Sequence, residues 1–287
     1  MLVSLAISPA RLNKRPERSP KFMQGRVLII AGSDSGGGAG IQADIKTVTA
    51  LGGYAATALT ALTAQNTTGV HGIHDVPAEF VARQIECVLA DIGADCIKIG
   101  MLHSPDVINA VNDALGDLAG DIPIVLDPVM TAKGGAALLQ DTAAACLMDR
   151  LVPMASLLTP NTPEAEILSG LAIEGLEDTK AAGHALLALG AKNVLMKGAH
   201  VPGAEITDIL ITGAGEIIEL GAPRIDTKHT HGTGCTLASA VAAGLAQGLE
   251  LEAAVRRAHG YVQEAIRTAP GFGAGHGPLN HAHTFES

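Results

Sequence analysis

Short apolar runs alternate along this chain with amphipathic segments of helical length, and this alternation constrains the fold more than any other feature. Runs such as "VLIIAG" (27–32), "CIKIG" (96–100) and "IPIVLDP" (122–128) predict buried strands. The segment 77–93 predicts a helix, because Pro77 stands at its start and a glycine ends it. Strands separated by helices of roughly 10–15 residues are typical of a mostly parallel sheet with helices on both faces.

The rest of the chain continues this pattern as far as residue 268. Further strands are predicted at 55–62, 156–160 and 193–198, and further helices at 39–53, 105–116, 141–152, 233–247 and 251–268. One more helix is predicted to begin at Thr162 and Pro163, and another to run from a cap at Asp178 to Leu189. The runs 208–212 and 216–220 are separated by Gly-Ala-Gly and predict a β-hairpin that adds an antiparallel edge. We therefore predict an α/β fold with one domain over residues 25–287.

Composition narrows the class of partner. The formal net charge is −10 and aromatic residues make up 2% of the 287 residues. Neither property suits binding to nucleic acid, which needs a basic surface and commonly uses aromatic stacking platforms. The apolar runs are shorter than the roughly 18 residues needed to span a bilayer. We expect a small-molecule partner and neither nucleic acid nor membrane.

The N-terminal segment differs from the rest of the chain. Residues 1–24 are predicted to be a disordered extension, with Met23 as an alternative start, and a transit peptide is the other interpretation. The four cysteines, Cys87, Cys96, Cys146 and Cys235, form no C-x-x-C pair. Their irregular spacing favours a reduced protein of the cytoplasm.

Two glycine-rich turns follow predicted strands, where open parallel sheets bind ligands. The turn "AGSDSGGGAGIQAD" (31–44) matches neither G-x-G-x-x-G nor a P-loop, so it is either a tight structural turn or a ligand loop. Asp44 lies one turn inside the following helix, on its polar side, and is predicted to face solvent or a ligand.

The second turn, "HTHGTGCT" (229–236), leads directly into a helix of small residues. Gly232 and Gly234 allow backbone N–H groups to converge, and the positive end of the helix adds to an anion site. A thiol in this position is expected to have a lowered pKa, so Cys235 is a candidate base or nucleophile. The alternative is a small, buried helix residue, and His229 and His231 show no third partner for a metal.

Acidic and amide side chains follow two further strands. Asp127 ends a strand expected to be central, and Asn161 and Glu164 flank the next helix start. Oxygen ligands of this kind suit Mg²⁺ held through water and phosphate, whereas the alternative is ordinary helix capping. Lys197 adds a cation on the same edge, or is simply a solvated charge. An anion site, an acidic pair and a lysine on one edge are together the parts that phosphoryl transfer requires.

At this point the chain resembles the hydroxymethylpyrimidine/phosphomethylpyrimidine kinases of the ribokinase superfamily. The resemblance extends over roughly residues 26 to 280 and is carried by "AGSDSGGGAGIQADIKT", "TALTAQNT", "KIGML", "LDPVM", "TPNTPEAE", "LMKGAH" and "TKHTHGTGCTLASA". It implies a ribokinase-like three-layer α/β/α sandwich, a homodimer, and ATP with Mg²⁺ as cofactors. The implied reaction phosphorylates 4-amino-5-hydroxymethyl-2-methylpyrimidine to the monophosphate and then to the diphosphate, in thiamin biosynthesis.

The resemblance also implies roles for individual residues. Cys235 would be the catalytic base, with Gly232, Thr233 and Gly234 around the transferring phosphoryl group. Gln65, Asp44, Gly32, Met101 and Val129 would form the pyrimidine pocket. Asn161, Glu164, Lys197, Lys228 and Thr230 would face ATP, and Asp127 and Glu164 would organise Mg²⁺.

One position departs from the family's pattern, and three alternative functions remain. Thr63 stands where an aliphatic residue is expected. The nearest alternative is a pyridoxal or pyridoxine kinase of the same superfamily. A non-catalytic pyrimidine-binding protein would not need the phosphate-binding residues, and a sugar kinase would carry an acidic base in place of Cys235.

Overall fold

The computed structural model describes residues 24–131, 135, 138–139, 142–198 and 203–285. The extension predicted at residues 1–24 lies outside the described residues, apart from Gln24, and stays a prediction. The single domain predicted over residues 25–287 also stays a prediction. Among the helices of the described residues, none combines the length and the apolar character needed to cross a membrane.

Helices and strands alternate through most of the described chain, as the apolar pattern predicts. The strands are β1 (Arg26–Ala31), β2 (Tyr54–Leu59), β3 (Ala61–Asn66), β4 (Gly69–Asp75), β5 (Cys96–Ile99), β6 (Ile124–Leu126), β7 (Leu157–Leu158), β8 (Asn193–Met196), β9 (Glu205–Thr212) and β10 (Ile217–Pro223). The α-helices are α1 (Gly40–Ala50), α2 (Ala78–Asp91), α3 (Pro105–Leu118), α4 (Ala143–Arg150), α5 (Thr162–Ser169), α6 (Leu176–Ala188), α7 (Thr233–Ala246) and α8 (Leu251–Arg267). Short 3₁₀ helices lie at Val152–Met154 and His283–Phe285.

The main sheet has the strand order β10-β9-β8-β7-β6-β5-β1-β2. The strands from β2 to β8 along this order pair in parallel, whereas β9 runs antiparallel to both β8 and β10. The predicted hairpin therefore forms the antiparallel edge, and β6, which precedes Asp127, is central. Because parallel strands end at the same edge, the loops that follow β1, β5, β6, β7 and β8 meet there.

Helices cover both faces of this sheet, which confirms the three-layer α/β/α sandwich. Successive residues of a strand point to opposite faces. Accordingly, Leu28 and Ile30 of β1 belong to one buried cluster, with residues of α2, α3, α4, α5 and α6. Val27 and Ile29 belong to a second cluster, with residues of α1, α7 and α8. The helix α7 is almost wholly buried, which explains its small residues.

The predicted strand 55–62 is in fact two strands in different sheets. The break is at Thr60, which is fully buried. Its N–H donates to the Ala31 carbonyl and its hydroxyl to the Met101 carbonyl. Beyond Thr60 the chain leaves the main sheet, and β3 pairs antiparallel with β4, a strand that the sequence analysis missed.

The predicted cap at Asp178 is wrong. The N-cap of α6 is Gly175, three residues before the predicted cap, and the helix begins at Leu176. Asp178 lies in the first turn, where its carboxylate accepts a hydrogen bond from the Glu174 N–H at 3.1 Å. An acidic residue is favourable in either position, because both the cap and the first turn carry unpaired N–H groups. Sequence alone does not separate the two positions.

Candidate active site

A cavity of about 1010 Å³ opens at the carboxyl ends of the parallel strands, beside the start of α7. Thirteen of the fifteen residues predicted from the sequence line it. They are Gly32, Gln65, Met101, Asp127, Val129, Asn161, Glu164, Lys197, Thr230, Gly232, Thr233, Gly234 and Cys235. The fold therefore brings together most of the residues that the motifs indicated.

Two predicted residues do not line the cavity. Asp44 was expected to face solvent or a ligand, but it is fully buried. Its carboxylate contacts Lys98 Nζ at 2.9 and 3.0 Å and accepts the Ser239 hydroxyl at 2.7 Å. Lys228 was expected to face ATP, but its ammonium donates to the Ala274 carbonyl at 3.1 Å. Lys228 is exposed outside the cavity lining, and its contact with ATP stays a prediction.

The turn before α7 requires glycine. Gly232 is the N-cap of the helix, with φ of +83°. A Cβ atom there would lie 1.8 Å from the Gly38 carbonyl oxygen, so no other residue fits without moving the backbone. This close approach joins the two glycine-rich turns. The Thr233 N–H donates to the Thr230 carbonyl at 3.4 Å, and the next two N–H groups of α7 have no partner inside the helix, so these remain available to an anion in the cavity.

The thiol of Cys235 differs from the prediction. It lies in the first turn of α7, partly buried, and burial raises its pKa to about 12. The charge of Lys98 lowers the pKa, whereas the carboxylates of Asp44 and Asp127 raise it further. The lowering of the pKa expected from the helix N-terminus is therefore outweighed by burial and by the two carboxylates, and the thiol of the free protein is neutral at pH 7.

Asp127, Glu164 and Lys197 form a charged cluster on the other side of the α7 start. Lys197 Nζ lies 2.8 Å from Asp127 Oδ1 and 3.7 Å from Glu164 Oε2. The Thr159 hydroxyl also donates to Asp127 Oδ1, at 3.2 Å. Burial raises the pKa of Glu164 to about 7, although the nearby Lys197 charge lowers it. The cluster therefore carries less negative charge than its two carboxyl groups suggest.

Asn161 and Glu164 also form a capping box at the start of α5. The Glu164 N–H donates to Asn161 Oδ1 at 3.0 Å, and the Asn161 N–H donates to Glu164 Oε2 at 2.8 Å. The structural interpretation of this pair is thus correct. It does not exclude a ligand, because both residues line the cavity.

A metal ion would need ligands from outside the protein at this cluster. Among the residues that the structure describes, no group of three or more His, Cys, Asp and Glu side chains is placed to hold one. Asp127 and Glu164 supply two carboxylates. Such a set fits Mg²⁺, which commonly takes one or two carboxylates and completes its coordination with water and substrate phosphates.

Lys98 was missed by the sequence analysis. It lies on the central strand β5, is fully buried, and reaches the cavity wall. Burial alone would lower its pKa, but the charge of Asp44, its hydrogen bond to Lys98 and the smaller contributions of Cys235 and Asp127 together outweigh this and raise the pKa to about 12. A signal was present, because a lysine in the middle of a strand predicted to be buried requires a partner.

Asp34 and His231 form a second pair whose roles the sequence analysis missed. Asp34 Oδ2 lies 2.8 Å from His231 Nε2, and the carboxylate also accepts the N–H groups of Gly36, Gly38 and Ala39. His231 Nε2 lies 3.3 Å from Gln65 Nε2. The two glycine-rich turns thus meet Gln65 of β3 at one end of the cavity.

The family model and the curated relatives point to one family. A family model described as phosphomethylpyrimidine kinase matches residues 34–280. The chain is 52% identical over 264 residues to the thiamine biosynthesis bifunctional protein ThiED of Geobacter sulfurreducens, covering 92% of this chain and 54% of that protein. This chain therefore spans about half the length of that relative.

Two further similarities cover nearly the whole of the matched proteins. The chain is 47% identical over 257 residues to the hydroxymethylpyrimidine/phosphomethylpyrimidine kinase of Bacillus subtilis, covering 89% of this chain and 94% of that protein. The crystal structure of an ADP complex of Bacillus subtilis pyridoxal kinase matches with a TM-score of 0.84 and 32% identity, covering 92% and 100% of the two chains. The sequence is thus nearer to the pyrimidine kinase than to the pyridoxal kinase.

We predict that removing one member of the buried ion pair destabilises the fold. Lys98→Met leaves the Asp44 carboxylate buried beside Ser239 alone, which should lower the free energy of unfolding by about 3–5 kcal/mol. The double variant Lys98→Met/Asp44→Asn removes both charges, so its free energy of unfolding should fall by less than that of Lys98→Met. Urea unfolding at pH 7 measures both. As a control, Arg83→Met breaks an exposed pair and should change little. Equal losses from Lys98→Met and Arg83→Met would contradict this account.

We also predict that Cys235 reacts slowly with alkylating reagents in the free protein. Thiolate is the reactive form, and the raised pKa makes it scarce. Iodoacetamide at pH 7.5 should modify the exposed Cys87 at least about tenfold faster than Cys235, as peptide mass spectrometry can measure. Buried Cys96 serves as the unreactive control. Faster labelling of Cys235 than of Cys87 would contradict the raised pKa and support the lowered pKa that the sequence predicts.

Proposed function

The chain belongs to the phosphomethylpyrimidine kinase family, and we propose that it transfers the γ-phosphoryl group of ATP to 4-amino-5-hydroxymethyl-2-methylpyrimidine and then to the resulting monophosphate. Both steps belong to thiamin biosynthesis. The substrate and products of this proposal come from the family. The chain spans about half the length of the ThiED relative.

One observation carries the proposal: a single cavity is lined by an amide, a thiol and a charged cluster that contains a lysine and two carboxyl groups. Gln65 lies at one end, Cys235 lies at the start of α7, and Lys197 lies beside Asp127 and Glu164. An amide recognises a heterocycle with adjacent donor and acceptor groups. A helix start and a lysine stabilise phosphoryl oxygens. A ring carrying a hydroxymethyl group would then place that group between the two ends.

The phosphate side of the site supports ATP as the phosphoryl donor. Lys197 and the free N–H groups at the start of α7 provide positive charge, and Gly234 lies close to both Lys197 and Asp127. Ile225, Val262 and Ile266 also line this cavity, and such apolar side chains suit a purine ring. Asn161 and Thr230 line it as well and would contact the nucleotide.

Asp127 and Glu164 would hold Mg²⁺, which neutralises charge on the transferring phosphoryl group when it is bound. Cys235 would accept the proton of the substrate hydroxyl. A neutral thiol cannot do so, so its pKa must fall in the complex. The Asp127 carboxylate is one of the groups that raise this pKa, so any cation bound at Asp127 favours the thiolate.

The alternatives receive less support. A pyridoxal kinase would share the fold and the phosphate site, but the 52% and 47% identities to the pyrimidine-pathway relatives exceed the 32% identity to the pyridoxal kinase. A sugar kinase stays disfavoured because it would carry an acidic base in place of Cys235. A non-catalytic binder stays disfavoured because it would not need the phosphate-binding residues. A homodimer in the cytoplasm completes the proposal.

The reaction itself is the first test. The purified protein is incubated with Mg-ATP and either the hydroxymethylpyrimidine or pyridoxal, and the products are resolved by mass. We expect the pyrimidine monophosphate to appear first and the diphosphate to follow, at a kcat/KM above that for pyridoxal. Phosphorylation of pyridoxal alone would refute the substrate while leaving the phosphate site intact.

A variant tests the role of the thiol. Cys235→Ala should lower kcat by about 10²–10⁴-fold, because a positioned base contributes a factor of that size. Nucleotide affinity, measured by titration calorimetry, should change by no more than about threefold, since the alanine keeps the helix start that binds phosphate. A kcat near that of the wild type would remove Cys235 from the base role.

A further inference from the structure

The amide of Gln65 is held between a hydroxyl and an imidazole. Gln65 Oε1 lies 3.2 Å from Thr63 Oγ1, and Gln65 Nε2 lies 3.3 Å from His231 Nε2. The Ser35 hydroxyl fixes the backbone of Gln65 by donating to its carbonyl and accepting from its N–H, each at 2.8 Å. The pairing of β3 with β4 shifts between Ala64 and Gln65, with the extra residue on β4, and regular alternation along β3 places Thr63 and Gln65 on the same face, towards the cavity.

Thr63 can only accept a hydrogen bond from the amide. Its hydroxyl has one proton, and the Ser33 carbonyl, a pure acceptor, takes it at 2.8 Å. The oxygen of Thr63 then offers only lone pairs to its remaining neighbour. Such a group pairs with the amide nitrogen of Gln65 and repels the amide oxygen.

His231 Nε2 cannot accept a hydrogen bond from the amide. Its Nε2 atom lies 2.8 Å from Asp34 Oδ2. Burial raises the pKa of Asp34, but hydrogen bonds from His231 and from the Ala39 and Gly36 amides outweigh it and lower the pKa. Asp34 is therefore an ionised acceptor, and the proton of the pair lies on His231 Nε2. That single proton is directed at Asp34, so Nε2 keeps no lone pair for an amide N–H, whereas an amide oxygen lies favourably beside the polarised N–H bond at 3.3 Å.

Both constraints are met when the amide group is rotated by 180°, which exchanges its oxygen and nitrogen while every other atom stays in place. We propose that Thr63 and His231 fix the Gln65 amide with Nε2 towards Thr63 and Oε1 towards His231. The fixed amide then determines which hydrogen-bond donors and acceptors the edge of a substrate ring must carry. This inference rests on the proposed function and adds two positioning residues to it.

The outer edge of the fixed amide offers one N–H and one oxygen lone pair, side by side, to the cavity. A 4-aminopyrimidine matches this edge, because its amino group donates and its neighbouring ring nitrogen accepts. Amide side chains make the same bidentate contact with adenine. The 4-oxo analogue carries a carbonyl and a ring N–H instead, so both contacts become repulsive unless the amide turns over.

Thr63 is the informative position, because the family resemblance predicts an aliphatic residue there and this chain has a hydroxyl. The side chain is buried and lines the cavity close to Gln65. Replacing it with valine removes the acceptor while keeping the shape. The amide then loses one of the two groups that fix it, and both of its orientations become accessible.

The test compares kcat/KM for the aminopyrimidine and for its 4-oxo analogue. The wild type should prefer the aminopyrimidine by about 10²-fold or more, because buried polar groups left unpaired are strongly rejected. Thr63→Val should reduce this preference by about tenfold, the size expected for one hydrogen bond. Thr63→Ser retains the hydroxyl and should restore the preference towards that of the wild type. A merely structural role for Thr63 would lower both kcat/KM values together and leave their ratio unchanged.

The outcomes separate this inference from the proposed function. A wild-type protein that phosphorylates the aminopyrimidine, with an unchanged ratio in Thr63→Val, overturns the inference alone. A wild-type protein that phosphorylates neither pyrimidine overturns both. Should Thr63→Val fail to fold in thermal melting, Thr63→Ala provides the same comparison with less steric demand. Titration calorimetry with the two pyrimidines measures the preference independently of turnover.

Discussion

A fully buried ion pair connects the three elements on which the site is built. Asp44 belongs to α1, Lys98 to the central strand β5, and Ser239, which donates to Asp44, to α7. Ser239 lies one helical turn beyond Cys235, so this contact sets the position of the helix that carries the thiol. Charges without access to water tolerate little displacement, because each depends on its partner for stabilisation. The buried ion pair therefore also sets the position of the first glycine-rich turn, which precedes α1, relative to the start of α7.

Local charge, rather than total charge, determines what the cavity accepts. The chain carries a formal net charge of −10, yet the carboxylates of Asp34 and Asp127 at the cavity, and of Asp44 in the interior behind it, each lie beside a cation or N–H groups. Lys98 balances Asp44, Lys197 balances Asp127, and three amides with His231 balance Asp34. A polyphosphate therefore meets a compensated surface with the positive end of α7 at its centre. An acidic protein can bind an anionic ligand in this way.

Much of the fold and of the site was predictable, because the relevant patterns are local. Apolar runs and helix signals depend on a few consecutive residues, and the carboxyl edge of a parallel sheet follows from strand order. That is why thirteen of the fifteen predicted residues line one cavity. The failures lie where a distant segment competes with a local preference. Thr60 breaks a continuous apolar run through bonds to Ala31 and Met101, and Lys98 and Ser239 hold Asp44 in the interior.

The sequence by itself determined the kinds of element, their order, and which residues stand at the edge where ligands bind. Only the tertiary structure decided the protonation and direction of those residues. Cys235 stands at a helix start, which favours thiolate, but burial and the carboxylates of Asp44 and Asp127 hold the proton on sulfur. Gln65 meets His231 across 166 residues of chain, and Lys98 meets Asp44 across 54. The reason is physical: desolvation and Coulomb interactions depend on distance in space, which local sequence patterns do not contain.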